Sequence, residues 1–160
     1  GDVRLNAAAN INDTEVTHVD ANPSELNSLD DDYVVFARRE VGRFEQGTPD
    51  NKLNLSAVWS FNQWQTTLRA TRYGEVADIS TTSEGDEYLD AKWIADLEVA
   101  YRPNEAWKFA VGANNLFDQY PQATVDNIGY SNFGQIFPYT PYTPYSLDGR
   151  FLYGNITYNF

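Results

Sequence analysis

The chain has no cysteine and no methionine among its 160 residues. Without cysteine there is no disulfide framework and no thiolate metal site. That absence says little about compartment, though it suits an exported chain. An initiating methionine, a basic-then-apolar leader and a cleavage site are also missing, so a mature or excised segment is expected. No run of about 18 apolar residues exists, so no membrane helix is expected. A membrane barrel stays open, because its strands carry only a weak, alternating signal. Basic residues are scarce: 11 Lys and Arg face 23 Asp and Glu, for a net charge of -12. That balance argues against nucleic acid as a partner. The length fits one domain. Aromatic residues are plentiful instead, at 15%, which is high for so polar a chain. Strands that alternate aromatic with polar residues produce that combination.

The C-terminal stretch shows the pattern most plainly. Leu152, Gly154, Ile156, Tyr158 and Phe160 alternate with Tyr153, Asn155, Thr157 and Asn159. Period-two alternation without a turn residue marks a strand with one apolar and one wet face. Two readings fit this stretch alone: a membrane barrel strand, or an edge strand of a soluble sandwich. Residues 3–12 alternate in the same way, with Val3, Leu5, Ala7, Ala9 and Ile11 on one face.

Residues 52–61 form the clearest interior strand. Leu53, Leu55, Ala57, Trp59 and Phe61 share a face. Asn62-Gln63 gives a two-residue turn, and Trp64, Thr66, Leu68 and Ala70 return on the apolar side. Pairing Phe61 with Trp64 also pairs Trp59 with Thr66, Ala57 with Leu68 and Leu55 with Ala70, and sets Arg69 opposite Ser56. A second hairpin carries Trp93, Ala95, Leu97, Val99 and Tyr101 outward, turns at residues 102–106, and returns through Trp107, Phe109, Val111 and Ala113. It is expected to set Tyr101 opposite Trp107. Asp96, Glu98, Lys108, Arg69 and Arg4 fall on the opposite, wet face.

Between these strands lie long polar segments. Residues 13–32 carry seven acids, no Lys or Arg, and the single histidine, His18. Asn22-Pro23 and Asp30-Asp31-Asp32 mark a solvated loop. Residues 33–45 read either as a short strand at Val34-Val35-Phe36 or as a short helix over 35–44. Residues 73–88 read as a second acidic loop with no basic residue inside it. Connections thus run long, short, long, short, long along six strands. Outer-membrane barrels segregate short periplasmic turns from long outside loops in this way, and strands of about 9–11 residues cross a bilayer when tilted.

Several motifs then resemble a known family. They are Trp93-Ile94-Ala95-Asp96-Leu97-Glu98-Val99-Ala100-Tyr101, Val111-Gly112-Ala113-Asn114-Asn115-Leu116-Phe117-Asp118-Gln119-Tyr120-Pro121, and the terminal run from Gly149-Arg150-Phe151 to Phe160. Together they look like the C-terminal end of a TonB-dependent outer-membrane receptor. Asn115-Leu116-Phe117-Asp118 with Tyr120-Pro121 is the specific part. Thr48-Pro49-Asp50-Asn51-Lys52 and Arg72-Tyr73-Gly74 also look like that family, and the likeness spans residues 1–160. The resemblance implies an all-β fold: about six strands of a larger antiparallel transmembrane β-barrel in the bacterial outer membrane. It implies import of a scarce nutrient such as a ferric siderophore, cobalamin or an oligosaccharide. Implied partners are outer-membrane lipid and lipopolysaccharide, the remainder of the barrel, a plug on the same or a separate chain, and TonB acting through that plug. No plug and no TonB-contacting segment is recognisable here. Such transporters need about 22 strands and the smallest barrels about 8, so six cannot close alone. Unpaired edges cannot face lipid, so a C-terminal piece or a split subunit is expected.

No catalytic constellation is visible, and nothing calls for a cofactor or a metal site. His18 reads as an exposed loop residue. Asp30-Asp31-Asp32 could hold a divalent cation, but reads first as a solvated loop. Gly149-Arg150 and Asn115-Leu116-Phe117-Asp118 read as rim and strand-end structure. The segment 118–148 is crowded with aromatics, and Pro138-Tyr139-Thr140-Pro141-Tyr142-Thr143-Pro144-Tyr145 repeats every three residues. A polyproline II turn also has three residues, which would stack Tyr139, Tyr142 and Tyr145 along one edge. Candidate ligand contacts are therefore Tyr130, Phe133, Tyr139, Tyr142 and Tyr145, against the alternative of loop-to-loop packing at a barrel mouth. Acidic loops should disfavour strongly anionic substrates. The runner-up function is a non-transporting surface barrel or a glycan-binding module. An enzyme is disfavoured, because no nucleophile is paired with a base.

Overall fold

The computed structural model describes residues 1–26, 34–123, 138–140 and 142–160. Alternating sequence becomes strand at each expected place: β1 (Asp2–Ile11), β2 (Asn51–Phe61), β3 (Trp64–Tyr73), β6 (Lys92–Tyr101), β7 (Trp107–Asn114) and β8 (Phe151–Tyr158). These pair in one sheet in the order β1-β2-β3-β6-β7-β8, each antiparallel to its neighbour. A short hairpin, β4 (Val76–Asp78) and β5 (Glu87–Leu89), and one helix, α1 (Arg38–Gln46), complete the described elements with two single 3-10 turns.

The β2–β3 hairpin has the expected register. Phe61 opposes Trp64, Trp59 opposes Thr66, Ala57 opposes Leu68, Leu55 opposes Ala70, and Ser56 opposes Arg69. Asn62 closes the turn at φ 52°, a left-handed conformation that asparagine tolerates. The second hairpin differs from expectation by two residues: Tyr101 opposes Phe109, and Trp107 opposes Tyr158 of β8. The cause is the wider turn. Asn104 Oδ1 accepts from the backbone N–H of both Ala106 and Trp107, each at 3.0 Å, and Arg102 N–H donates to Gln63 O at 2.8 Å. A shift of two preserves the face of every side chain, so the apolar side stays apolar.

That side is open. Val111 is 64% exposed, Ile156 68% and Trp59 47%. The apolar residues of the sheet do not meet in a core between two layers. Aromatics gather at its short-turn end: Trp59 on Phe61, Trp64 on Tyr101 at 4.6 Å between centroids, and Trp107 on Tyr158 at 4.6 Å. The opposite face is polar. There Glu98 accepts from Tyr153 Oη at 2.9 Å and lies 3.8 Å from Lys108 Nζ. Tyr153 lies across Gly112, where any β-carbon would strike its ring. β1 and β8 each have a neighbour on one side only.

The long connections depart most from the sequence reading. Of the two readings of residues 33–45, the helix is realised, as α1. The segment 73–88 is not merely a solvated acidic loop: it folds into β4 and β5, and Val76, Ala77, Ile79 and Leu89 are buried there. Its acids do find a basic partner, Arg38, but from α1. Packing between α1 and β4 explains both elements. Neither could persist alone, since α1 has nine residues and no side-chain N-cap. Gly42 permits their contact: a β-carbon there would sit 2.5 Å from Ile79 Cβ. Gly42→Val should therefore overpack this junction and cost about 1–3 kcal/mol. Hydrogen exchange should be faster in α1 and β4, with β2 and β3 unchanged.

Candidate functional site

Three long connections, residues 12–50, 74–91 and 115–150, leave the same end of the sheet, because every adjacent strand pair is antiparallel. The candidate site is the layer they build. Its frame is electrostatic. Arg38 grips Asp86 with both guanidinium nitrogens, Nη1 to Oδ1 at 2.7 Å, and also donates to Ser80 O. Asp86 accepts again from Ser80 N–H at 3.0 Å. The Arg38 hydrogen bond and the Ser80 amide hold the Asp86 carboxyl below the usual carboxylate range, against the opposing effect of burial. Asp78, on β4, behaves oppositely: burial pushes its carboxyl up, and the Thr140 hydroxyl, Arg39 and Arg43 offset only part of that.

A second frame lies at the end of β7. Asn115 and Asp118 take left-handed φ values of 51° and 57°, which asparagine and aspartate adopt more readily than most residues. Asn115 N–H donates to Asp96 Oδ1 at 2.9 Å. Its side chain both donates to Gln119 O at 2.7 Å and accepts from Gln119 N–H at 2.9 Å. Asp118 Oδ1 accepts from Arg150 N–H at 2.8 Å, at the start of β8. The Asn115-Leu116-Phe117-Asp118 motif thus ties β6, β7 and β8 together. It is strand-end structure, as its sequence suggested.

The sequence-derived candidates fare unequally. Tyr130 and Phe133 lie outside the described residues, as does Asp30-Asp31-Asp32. Tyr139, Tyr142 and Tyr145 do not share one row. Tyr139 stacks on Tyr120 at 6.4 Å, Tyr142 lies under the Arg43 guanidinium at 5.3 Å, and Tyr145 meets Tyr73 at 5.7 Å. A three-residue sequence period gives stacking only if the whole segment stays in polyproline II. Here Thr143 N–H turns back toward Thr140 O, and the rings diverge to separate elements. His18 is exposed and pairs with Asp20 at 3.0 Å. It borders an open, mostly apolar cavity of about 630 Å³ between the first connection and α1, with Phe36 and Phe44 on its wall.

Residues that sequence reasoning missed are Arg38, Arg39, Arg43, Asp78, Asp86 and Thr140. One signal was present: the three arginines are the only Lys or Arg between residues 5 and 51. Nothing local pairs them with a carboxylate 35 or more residues away.

An open antiparallel sheet with one exposed apolar face, one polar face and long connections at a single end is consistent with part of a larger β-barrel. The chain belongs to the TonB-dependent receptor-like β-barrel family, whose model matches residues 3–116. No curated protein matches it significantly. Among solved structures, it is similar to the closed form of the ferric-catecholate import receptor Fiu from E. coli K12, at 14% identity and TM-score 0.62, over 98% of this chain and 19% of that one. It is also similar to a variant of the ferric enterobactin receptor PfeA from Pseudomonas aeruginosa, at 22% identity and TM-score 0.52, over 71% of this chain and 16% of that one. The chain therefore spans under a fifth of the length of these receptors. Family membership supports an outer-membrane location.

Two predictions follow from the frames. Asn115→Ala leaves both Gln119 backbone groups without their partner and should cost about 1–3 kcal/mol, read as a lower denaturation midpoint. Asp86 has a lowered carboxyl pKa, so its contribution is complete above the ordinary carboxylate range and is lost as pH falls through the lower folded value. Protection of α1 amides should accordingly drop in strong acid, and Asp86→Asn should abolish that drop.

Proposed function

We propose that residues 1–160 are the C-terminal part of the barrel of a TonB-dependent outer-membrane receptor, supplying six wall strands and part of the outer mouth. The observation that carries this reading is the two-faced sheet: exposed aliphatic and aromatic side chains on one side, and Arg4, Arg69, Asp96, Glu98 and Lys108 on the other. Apolar strands facing hydrocarbon and charged backs facing a hydrated lumen account for both. The aromatic cluster at the short turns then stands at the periplasmic interface, where aromatic girdles lie. The unpaired sides of β1 and β8 take the neighbouring barrel strands, since an open edge cannot be left in lipid.

The remaining partners are the lipid and lipopolysaccharide around the wall and a plug inside it. TonB acts through that plug and not through this chain. The whole receptor imports a scarce nutrient. A ferric siderophore leads over cobalamin and oligosaccharide, because the two similar receptors are named for ferric catecholates. Most of the 23 acidic residues lie in the long connections, which disfavours strongly anionic ligands, so a ferric siderophore of low net charge fits better than an anionic ferric catecholate. Tyr139, Tyr142 and Tyr145 are its contacts from this chain, with Tyr130 and Phe133 on the same connection.

Accumulation of radiolabelled ferric siderophore, cobalamin and oligosaccharide by cells carrying the full receptor, with and without TonB, tests the transport reading. One of the three should accumulate only when TonB is present. Surface binding without accumulation would instead favour a non-transporting module. The wall reading has its own test. Leu68→Lys on the apolar face should destabilise the receptor in vesicles by about 2–4 kcal/mol, the cost of a lysine near the bilayer midplane. Thr67→Lys, opposite Glu98 on the polar face, should cost far less.

A further inference from the structure

The aromatic connection is fastened at a buried point. Thr140 is 0% exposed, and its Oγ1 donates to Asp78 Oδ2 at 2.6 Å. The same hydroxyl oxygen accepts from Tyr142 N–H at 3.3 Å, and Thr140 O accepts from Thr143 Oγ1 at 3.1 Å. Thr140 therefore sets where the chain turns and where Tyr142 meets Arg43. Asp78 is only 5% exposed, and its second oxygen, Oδ1, has no hydrogen-bond partner among the described residues. A buried carboxylate with an unmatched oxygen is costly in its charged form.

We propose that Asp78 and Thr140 form a clasp that holds Tyr142 and Tyr145 in place at the outer mouth, and that the clasp tightens in acid. Only the placing of these tyrosines at the mouth, as ligand contacts, rests on the proposed receptor role. The charges facing Asp78 are Arg39 and Arg43 from α1 and Asp86 from the β4–β5 connection, and Thr140 is its hydrogen-bond donor. The arginines and the hydroxyl favour the carboxylate; burial and Asp86 oppose it, and burial is the largest effect. The carboxyl pKa is raised in the closed form, so closing takes up a proton. Closing is weakest above that raised value and strengthens as pH falls through it.

Hydrogen exchange of the amides in residues 142–148, measured on ligand-free full-length receptor and corrected for intrinsic rates, tests this without reference to transport. Thr140→Val keeps the shape and removes the hydroxyl. It should speed exchange there at least about tenfold, the loss expected for a hydrogen bond to a charged group. Thr140→Ser restores the hydroxyl and should return protection to near the wild-type level, which separates the clasp from general misfolding. In the wild type, protection should rise as pH falls from about 7 to about 4. Asp78→Asn keeps an acceptor but cannot ionise, so it should retain protection at neutral pH and lose that dependence. Exchange within about twofold of wild type in Thr140→Val, or an unchanged pH profile in Asp78→Asn, would overturn the proposal. A receptor that imports nothing but shows these exchange patterns would sink the transport reading and leave the clasp standing.

Discussion

Side chains of the six-stranded sheet are committed to their faces by a ladder whose register runs unbroken across each adjacent pair. From Asp2 opposite Ser60 to Ile11 opposite Asn51, and from Lys52 opposite Tyr73 to Phe61 opposite Trp64, partners advance one for one. A single-residue slip of β6, for example, would turn Asp96 and Glu98 onto the apolar side and Leu97 onto the polar side. In water such a slip changes little for an open sheet. With hydrocarbon on one side it carries a heavy cost, and no water replaces a lost backbone partner. The proposed bilayer setting thus explains the strictness of the register, and why aliphatic side chains such as Ile156 need no protein neighbour.

The long connections obey different physics. Their stability comes from burial and ion pairing among α1, β4 and β5, within a small apolar nucleus of Val76, Ala77, Ile79 and Leu89. Two carboxylates in this layer are tuned apart. Asp86 is held charged by Arg38, and Asp78 is pushed toward its neutral form by burial. One anchors the helix to the hairpin; the other receives Thr140. A soluble-type nucleus therefore sits on a sheet that has none of its own on its apolar side.

How much of this was legible in the sequence follows from the range of the interactions. Strand faces and the β2–β3 register depend on period-two alternation and a two-residue turn, both local, and both were read correctly. The β6–β7 register depended on Asn104 widening its turn and on Trp107 reaching β8, so the sequence reading was out by two. β4 and β5 are three residues each, too short for a periodic signal, and exist because α1 packs on β4, which pairs with β5. The tyrosine period was real, but the partners that pull Tyr139, Tyr142 and Tyr145 apart are Tyr120, Arg43 and Tyr73, all remote in the chain. Likewise the pairs Arg38–Asp86 and Thr140–Asp78 join positions 48 and 62 residues apart. The family resemblance was carried by Asn115-Leu116-Phe117-Asp118, which the structure turns into the fastening of β6, β7 and β8.

Site-directed spin labelling tests the two-faced wall directly. Single cysteines at Leu55, Ser56, Ala57 and Val58, introduced one at a time into the full receptor, can each carry a spin label in reconstituted vesicles. Collision with oxygen reports hydrocarbon, and collision with a water-soluble nickel chelate reports an aqueous lumen. The account predicts strict alternation, with oxygen dominant at 55 and 57 and nickel dominant at 56 and 58. Uniform accessibility along the four positions, or labels at 55 and 57 shielded from both reagents, would contradict it.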